Sequence, residues 1–103
     1  MQHVMVRYTL KPERVAENEE LVRAVFEELA TTQPDGIQYA TLKLDDGVSF
    51  VHIAATSDSG LLSEVAAFAR FKQNLGDRCE EPPVRTPAEI VGSFGLFGSA
   101  VGA

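Results

Sequence analysis

Apolar and polar residues alternate from His3 to Leu10, which puts Val4, Val6, Tyr8 and Leu10 on one side and His3, Met5, Arg7 and Thr9 on the other. A period of two is that of a β-strand. Lys11-Pro12 ends it, since proline lacks the amide proton of a ladder but suits the first turn of a helix. The spacing then changes. From Glu13 to Ala30, Val15, Val22, Val25, Phe26 and Leu29 recur at helical intervals, with Glu20, Arg23, Glu27 and Glu28 mainly opposite, and acidic residues crowd the N-terminal half where the helix dipole favours them. Thr31 to Gly36 breaks this helix and leads into a second strand, Ile37 to Leu44.

A short Asp45-Asp46-Gly47 connection joins that strand to a third, and it admits two registers. A three-residue loop with a glycine bulge gathers Ala40, Leu42, Leu44, Val48, Phe50 and His52 on one face, against Tyr39, Thr41, Lys43, Ser49, Val51 and Ile53. A two-residue turn on Asp46-Gly47 exchanges the partners. The first is preferred, because one face is then almost wholly apolar. Thr56 to Gly60 is rich in helix-capping residues, and Leu61, Leu62, Val65, Phe68, Ala69 and Leu75 follow at helical spacing, with Gly76 as a left-handed stop. Asp77 to Pro83 reads as a polar, proline-rich passage, and Ile90 to Phe97 as the last strand, interrupted by Gly92 and Gly95. Residues 98–103 are expected to form a loose tail or short arm.

The order is βαββαβ, an α+β fold in one domain spanning 1–103: a four-stranded antiparallel sheet with two helices on one face. Because the strands carry apolar residues at both parities, the face away from the helices needs a partner, and a homodimer through that sheet face is expected.

Charge narrows the function classes. Among 103 residues, 9 basic and 15 acidic side chains give a net charge of −6, with the basic residues scattered, so no strip for nucleic-acid phosphates is present. No apolar run approaches membrane-spanning length, and a single cysteine, Cys79, excludes an internal disulfide. A cytoplasmic protein with no nucleic-acid or membrane partner is the expectation.

His52 is the foremost chemical candidate, since an imidazole on the third strand can serve as a base near neutral pH, although beside Phe50 and Ala54 it also suits a core position. Tyr8 and Tyr39 each offer a ring and a hydroxyl to orient a ligand, though both are equally natural strand residues, and Phe50, Phe68 and Phe71 can wall a hydrophobic cavity or simply fill the core. Arg70 and Asn74, four apart on the second helix, can together hold a carboxylate or carbonyl. Two histidines without an adjacent carboxylate give no metal-ligand spacing, and none is assigned. Cys79 has one cationic and two anionic neighbours, which argues against a nucleophilic thiolate.

The element order, together with Val6-Arg7-Tyr8-Thr9-Leu10-Lys11-Pro12, Phe50-Val51-His52-Ile53 and Phe68-Ala69-Arg70-Phe71, resembles the antibiotic biosynthesis monooxygenase-like family of the dimeric α/β-barrel superfamily. The resemblance implies a ferredoxin-like fold, two subunits packed sheet against sheet, and a ligand cavity in each between helices and sheet. It also implies one of two chemistries: cofactor-independent oxygenation of polycyclic phenols or quinols, or haem degradation by asparagine, tryptophan and histidine. With no tryptophan and no histidine in the second helix, the haem-degrading set does not carry over. Two readings follow. One is a monooxygenase-like enzyme without cofactor, with His52 as base, Tyr39 and Asn74 as polar contacts, and an aromatic or polyketide-like small hydrophobic molecule as ligand. The other is a non-catalytic binding or accessory dimer of the same fold.

Overall fold

The computed structural model describes residues 1–58 and 60–95, so the expected tail at 98–103 lies outside the described residues. Strand β1 (Gln2–Leu10) buries Tyr8 and Leu10 beneath the helices, as its alternation requires. A 3-10 turn (Pro12–Arg14) leads into α1 (Val15–Thr32), with Arg14 paired to Glu17 at 2.6 Å. The helix outlasts the predicted Ala30 by two threonines, whose hydroxyls bond back to the carbonyls of Glu27 and Glu28. It stops where Gln33 turns left-handed (φ 44°) before Pro34, a position that disfavours further helix.

Strands β2 (Ile37–Lys43) and β3 (Ser49–Thr56) overturn the preferred hairpin register. Thr41 pairs with His52, Lys43 with Phe50 and Tyr39 with Ala54, so Tyr39, Thr41 and His52 share the helix-covered face while Ala40, Leu42, Val51 and Ile53 take the other. This is the parity of the even-numbered turn. The reason is local: Leu44 donates to the Ser49 carbonyl, Gly47 adopts φ +79°, and the Asp46 carboxylate accepts from the amides of Val48 and Ser49 and from the Ser49 hydroxyl. Three hydrogen bonds to one carboxylate outweigh the tidier apolar face that the other register offers.

The second helical stretch is broken rather than continuous. A 3-10 turn (Leu62–Glu64) precedes α2 (Ala66–Lys72), and α3 (Leu75–Arg78) follows a kink at Asn74. The left-handed residue is Asn74 (φ 62°), not Gly76, which lies inside α3. Both ends of α2 are capped from a distance. Glu28 of α1 accepts from the amides of Ala66 (3.2 Å) and Ala67 (2.8 Å), while Arg78 donates to the carbonyls of Phe71 (2.7 Å) and Gln73 (3.1 Å).

The last strand is also displaced from its expected place. Strand β4 is Cys79–Ala88, covering much of what reads as a passage, and it pairs only with β1. The sheet order is β2-β3-β1-β4, every neighbour antiparallel. At an edge, strand prolines are tolerated, and Pro82-Pro83 falls where the register shifts between the Arg7↔Val84 and Thr9↔Glu81 pairs. The apolar run predicted as the strand leaves the sheet instead: Val91 and Phe94 are 98% exposed, and Phe97 lies outside the described residues.

Tyr8, Leu10, Val25, Phe50, Ala67, Phe71 and Cys79 form the core between helices and sheet. The opposite face carries Met5, Leu42 and Val84, the last two 50% and 62% exposed. No helix of the described residues is long and apolar enough to cross a membrane.

Candidate functional site

Between α2 and the helix-side face of the sheet lies a cleft of about 1090 Å³. Tyr39, His52 and Ala54 from β2 and β3 line it, with Phe68 and Phe71 from α2 and Arg85 from the edge strand. The volume suits a polycyclic ligand rather than a metabolite of a few atoms. Four aromatic rings, those of Tyr39, His52, Phe68 and Phe71, gather on one part of its wall. Tyr39 stacks on Phe26 (centroids 5.2 Å apart, 14° between planes) and meets the edge of Phe68 (6.0 Å, 83°), while His52 lies 5.0 Å from Phe71.

Polar groups enter this apolar setting as one chain. Arg78 donates from Nε to Asn18 Oδ1 (3.1 Å), and Asn18 Nδ2 donates to the Tyr8 hydroxyl (3.0 Å). The Tyr8 hydroxyl is 2.6 Å from His52 Nε2, and the Tyr39 hydroxyl is 2.5 Å from His52 Nδ1, with Thr41 Oγ1 at 3.2 Å from the same nitrogen. Arg78, Asn18, Tyr8 and His52 are all buried. Such a network is costly unless its members find partners, and here each of them makes at least one hydrogen bond within it.

Burial dominates the titration of these groups. It holds the His52 imidazole down to about 4, so the ring is neutral at physiological pH. Both tyrosine hydroxyls are pushed up by burial, the Asn18 amide partly offsetting this at Tyr8 and the Thr41 hydroxyl at Tyr39. Arg78 is 1% exposed and has no carboxylate in contact among the described residues. Burial lowers its pKa, an effect that the more distant charge of Glu17 opposes. Its guanidinium sits 5.5 Å from the Phe71 ring and spends its donors on two carbonyls and Asn18. Burial likewise pushes the Cys79 thiol up, which suits a core residue.

Of the residues singled out from the sequence, Tyr39, His52, Phe68 and Phe71 meet at the cleft. Phe50 does not: it lies in the core, stacked on Tyr8 with centroids 5.7 Å apart. Asn74 is exposed in the left-handed kink, away from the cleft, because the helix on which it was expected to share a face with Arg70 ends before it. Tyr8, read from the sequence as a candidate ligand contact, lies instead in the core as a hydrogen-bond partner, and Asn18 and Arg78 were not singled out as chemistry. Asn18 did leave a signal. Val15, Asn18, Val22, Val25 and Leu29 run at intervals of three and four, so an amide occupies the buried stripe of α1. Arg78 left none, because only the kink at Asn74 turns it inward.

The backbone fold matches a group of solved structures. The fold is that of the antibiotic biosynthesis monooxygenases. A putative antibiotic biosynthesis monooxygenase from Bacteroides thetaiotaomicron superposes with a TM-score of 0.75 at 14% identity, over 93% of this chain and 93% of that one. Another, from Nitrosomonas europaea, gives 0.72 at 18% identity over 89% and 100%. SnoaB, a cofactor-independent oxygenase from Streptomyces nogalater, gives 0.64 at 18% identity over 91% and 96%. No protein-family model and no curated protein matches the chain.

Proposed function

We propose that the protein binds an aromatic or polyketide-like molecule in the cleft and oxygenates it without a cofactor, working as a cytoplasmic homodimer. The observation that carries this reading is the meeting, at one cleft, of a cluster of aromatic rings with a part-buried polar pair, Tyr39 and His52. A substrate that supplies all the electrons itself needs no cofactor: a ring CH₂ becomes C=O, one atom of O₂ entering the product and the other leaving as water. Such a substrate must first ionise, and a hydroxyl held against the developing oxyanion in a dry site favours that step. Because both nitrogens of His52 are engaged, the imidazole acts on the ligand through Tyr39 rather than by direct contact. The dimer reading draws on the apolar outer face around Met5, Leu42 and Val84, and the compartment on the lone reduced Cys79.

The absence of an unengaged imidazole nitrogen also favours the second reading, a binding protein of the same fold without chemistry. Oxygen uptake with a panel of polycyclic quinols separates the two. Uptake by the wild type that falls in His52→Ala supports the enzyme. Quinone binding with no uptake, or uptake indifferent to the substitution, supports the binding protein.

A further inference from the structure

The buried chain has a direction, and the direction is set at its far end. Arginine only donates, so Arg78 Nε, 3.1 Å from Asn18, obliges the Asn18 oxygen to face it, and a flipped amide would set donor against donor. The amide nitrogen is thereby turned to Tyr8, 3.0 Å away. Tyr8 accepts that bond and is left with one proton of its own and one remaining neighbour, His52 Nε2. If His52 carried its proton on Nε2, the buried Tyr8 hydroxyl would have no acceptor, a loss worth more than a typical hydrogen bond. Nε2 is therefore the bare nitrogen and Nδ1 bears the proton, opposite to the tautomer that free imidazole side chains favour in water.

That proton points at the Tyr39 and Thr41 hydroxyls, 2.5 and 3.2 Å away. Both then act as acceptors toward His52, and between them they keep two protons of their own. One can be spent between the two hydroxyls; the other has no acceptor among the described residues. Tyr39 is the member that lines the cleft.

We propose that Arg78, Asn18 and Tyr8 are positioning residues that lock the proton of His52 on Nδ1, making the Tyr39 hydroxyl a hydrogen-bond donor to a ligand oxygen in the cleft. The ligand is thus a polycyclic molecule presenting a carbonyl, enolate or phenolate oxygen at Tyr39, not a hydroxyl donor. Charge at the cleft is mixed but includes Lys72 and Arg85, neither ion-paired among the described residues, beside Glu89. The ligand assignment rests on the cleft being the binding site, as proposed above; the tautomer does not.

Long-range proton–nitrogen NMR correlation of isotope-labelled protein reads the tautomer directly, with His3 assigned by a His3→Gln variant. The expected wild-type result is His52 protonated on Nδ1, and protonation on Nε2 overturns the proposal whatever the variants do. Asn18→Asp is nearly isosteric and gives Arg78 a carboxylate partner, so the fold is kept while the direction reverses. Tyr8 then donates to Asp, His52 moves its proton to Nε2, and Tyr39 donates to Nδ1. An unchanged tautomer in that variant overturns the role of Asn18 and Arg78. As a ligand probe, 1,4-naphthoquinone carries acceptors only. Its binding, followed by fluorescence quenching of the tyrosines, is expected to weaken roughly three- to tenfold in both Asn18→Asp and Tyr39→Phe, the range of one hydrogen bond, while naphthalene is unaffected. Equal quinone affinity in all three proteins, or none in the wild type, overturns the ligand class. Neither readout uses oxygen uptake, so failure of the oxygenase reading leaves a distinguishable result.

Discussion

A neutral histidine sealed between two tyrosines carries a cost that depends on pH. With the His52 pKa held near 4 against an ordinary 6.5, the unfolded chain takes up a proton below 6.5 that the folded chain refuses. Stability is then fully present above pH 6.5 and is lost as pH falls toward 4, by about 3 kcal/mol over the window if this group acts alone. Chemical denaturation across that range is expected to show this slope in the wild type and a flatter one in His52→Gln. Arg78 is the complementary case, a buried cation held by three hydrogen bonds. Replacing it by methionine leaves two carbonyls and the Asn18 oxygen unpaired, and a destabilisation of about 3 kcal/mol or more is expected in urea titrations. Neither residue disclosed its partners in the linear chain. His52 stood out as an imidazole on a strand, but its neighbours depended on a hairpin parity decided by Asp46.

Elements in this fold are finished by residues far away in sequence. Helix α2 is seven residues long, too short to persist by itself, and no side chain at its own start caps it. Glu28 supplies that cap from α1, so Glu28→Ala is expected to lower stability by about 1 kcal/mol, seen as a fall in Tm with the sheet intact. A Glu28→Gln variant, which keeps an acceptor oxygen, should lose less. The first strand and the long helix of the N-terminal half follow their periodicity closely, because burial on one side of each is enough to specify them. The C-terminal half does not. Hydrophobicity pointed to Ile90–Phe97 as the final strand, whereas Cys79–Ala88, with its three prolines, takes the edge position. An edge strand needs only one row of hydrogen bonds and little apolar content, so it carries a weak sequence signal.

The molecule as a whole leaves greasy surface on the side of the sheet away from its helices. Met5, Leu42 and Val84 are 37%, 50% and 62% exposed there, and fully covering each such side chain is worth about 1.5–3 kcal/mol. Light scattering at micromolar concentration is expected to report a dimer, and Leu42→Glu combined with Val84→Glu a monomer that keeps the wild-type circular dichroism. A wild-type monomer would sink the assembly proposed here. The element order βαββαβ and the two-sided apolar strands could both be read from residue order, since periodicity records which side of each element meets water. Which strand closes the sheet, which parity the hairpin takes, and which polar side chains join inside the core were decided only in three dimensions. Those outcomes turn on the hydrogen bonds of Asp46 and Arg78 and on the left-handed backbone at Asn74, which bring together groups whose nearness no one-dimensional pattern encodes.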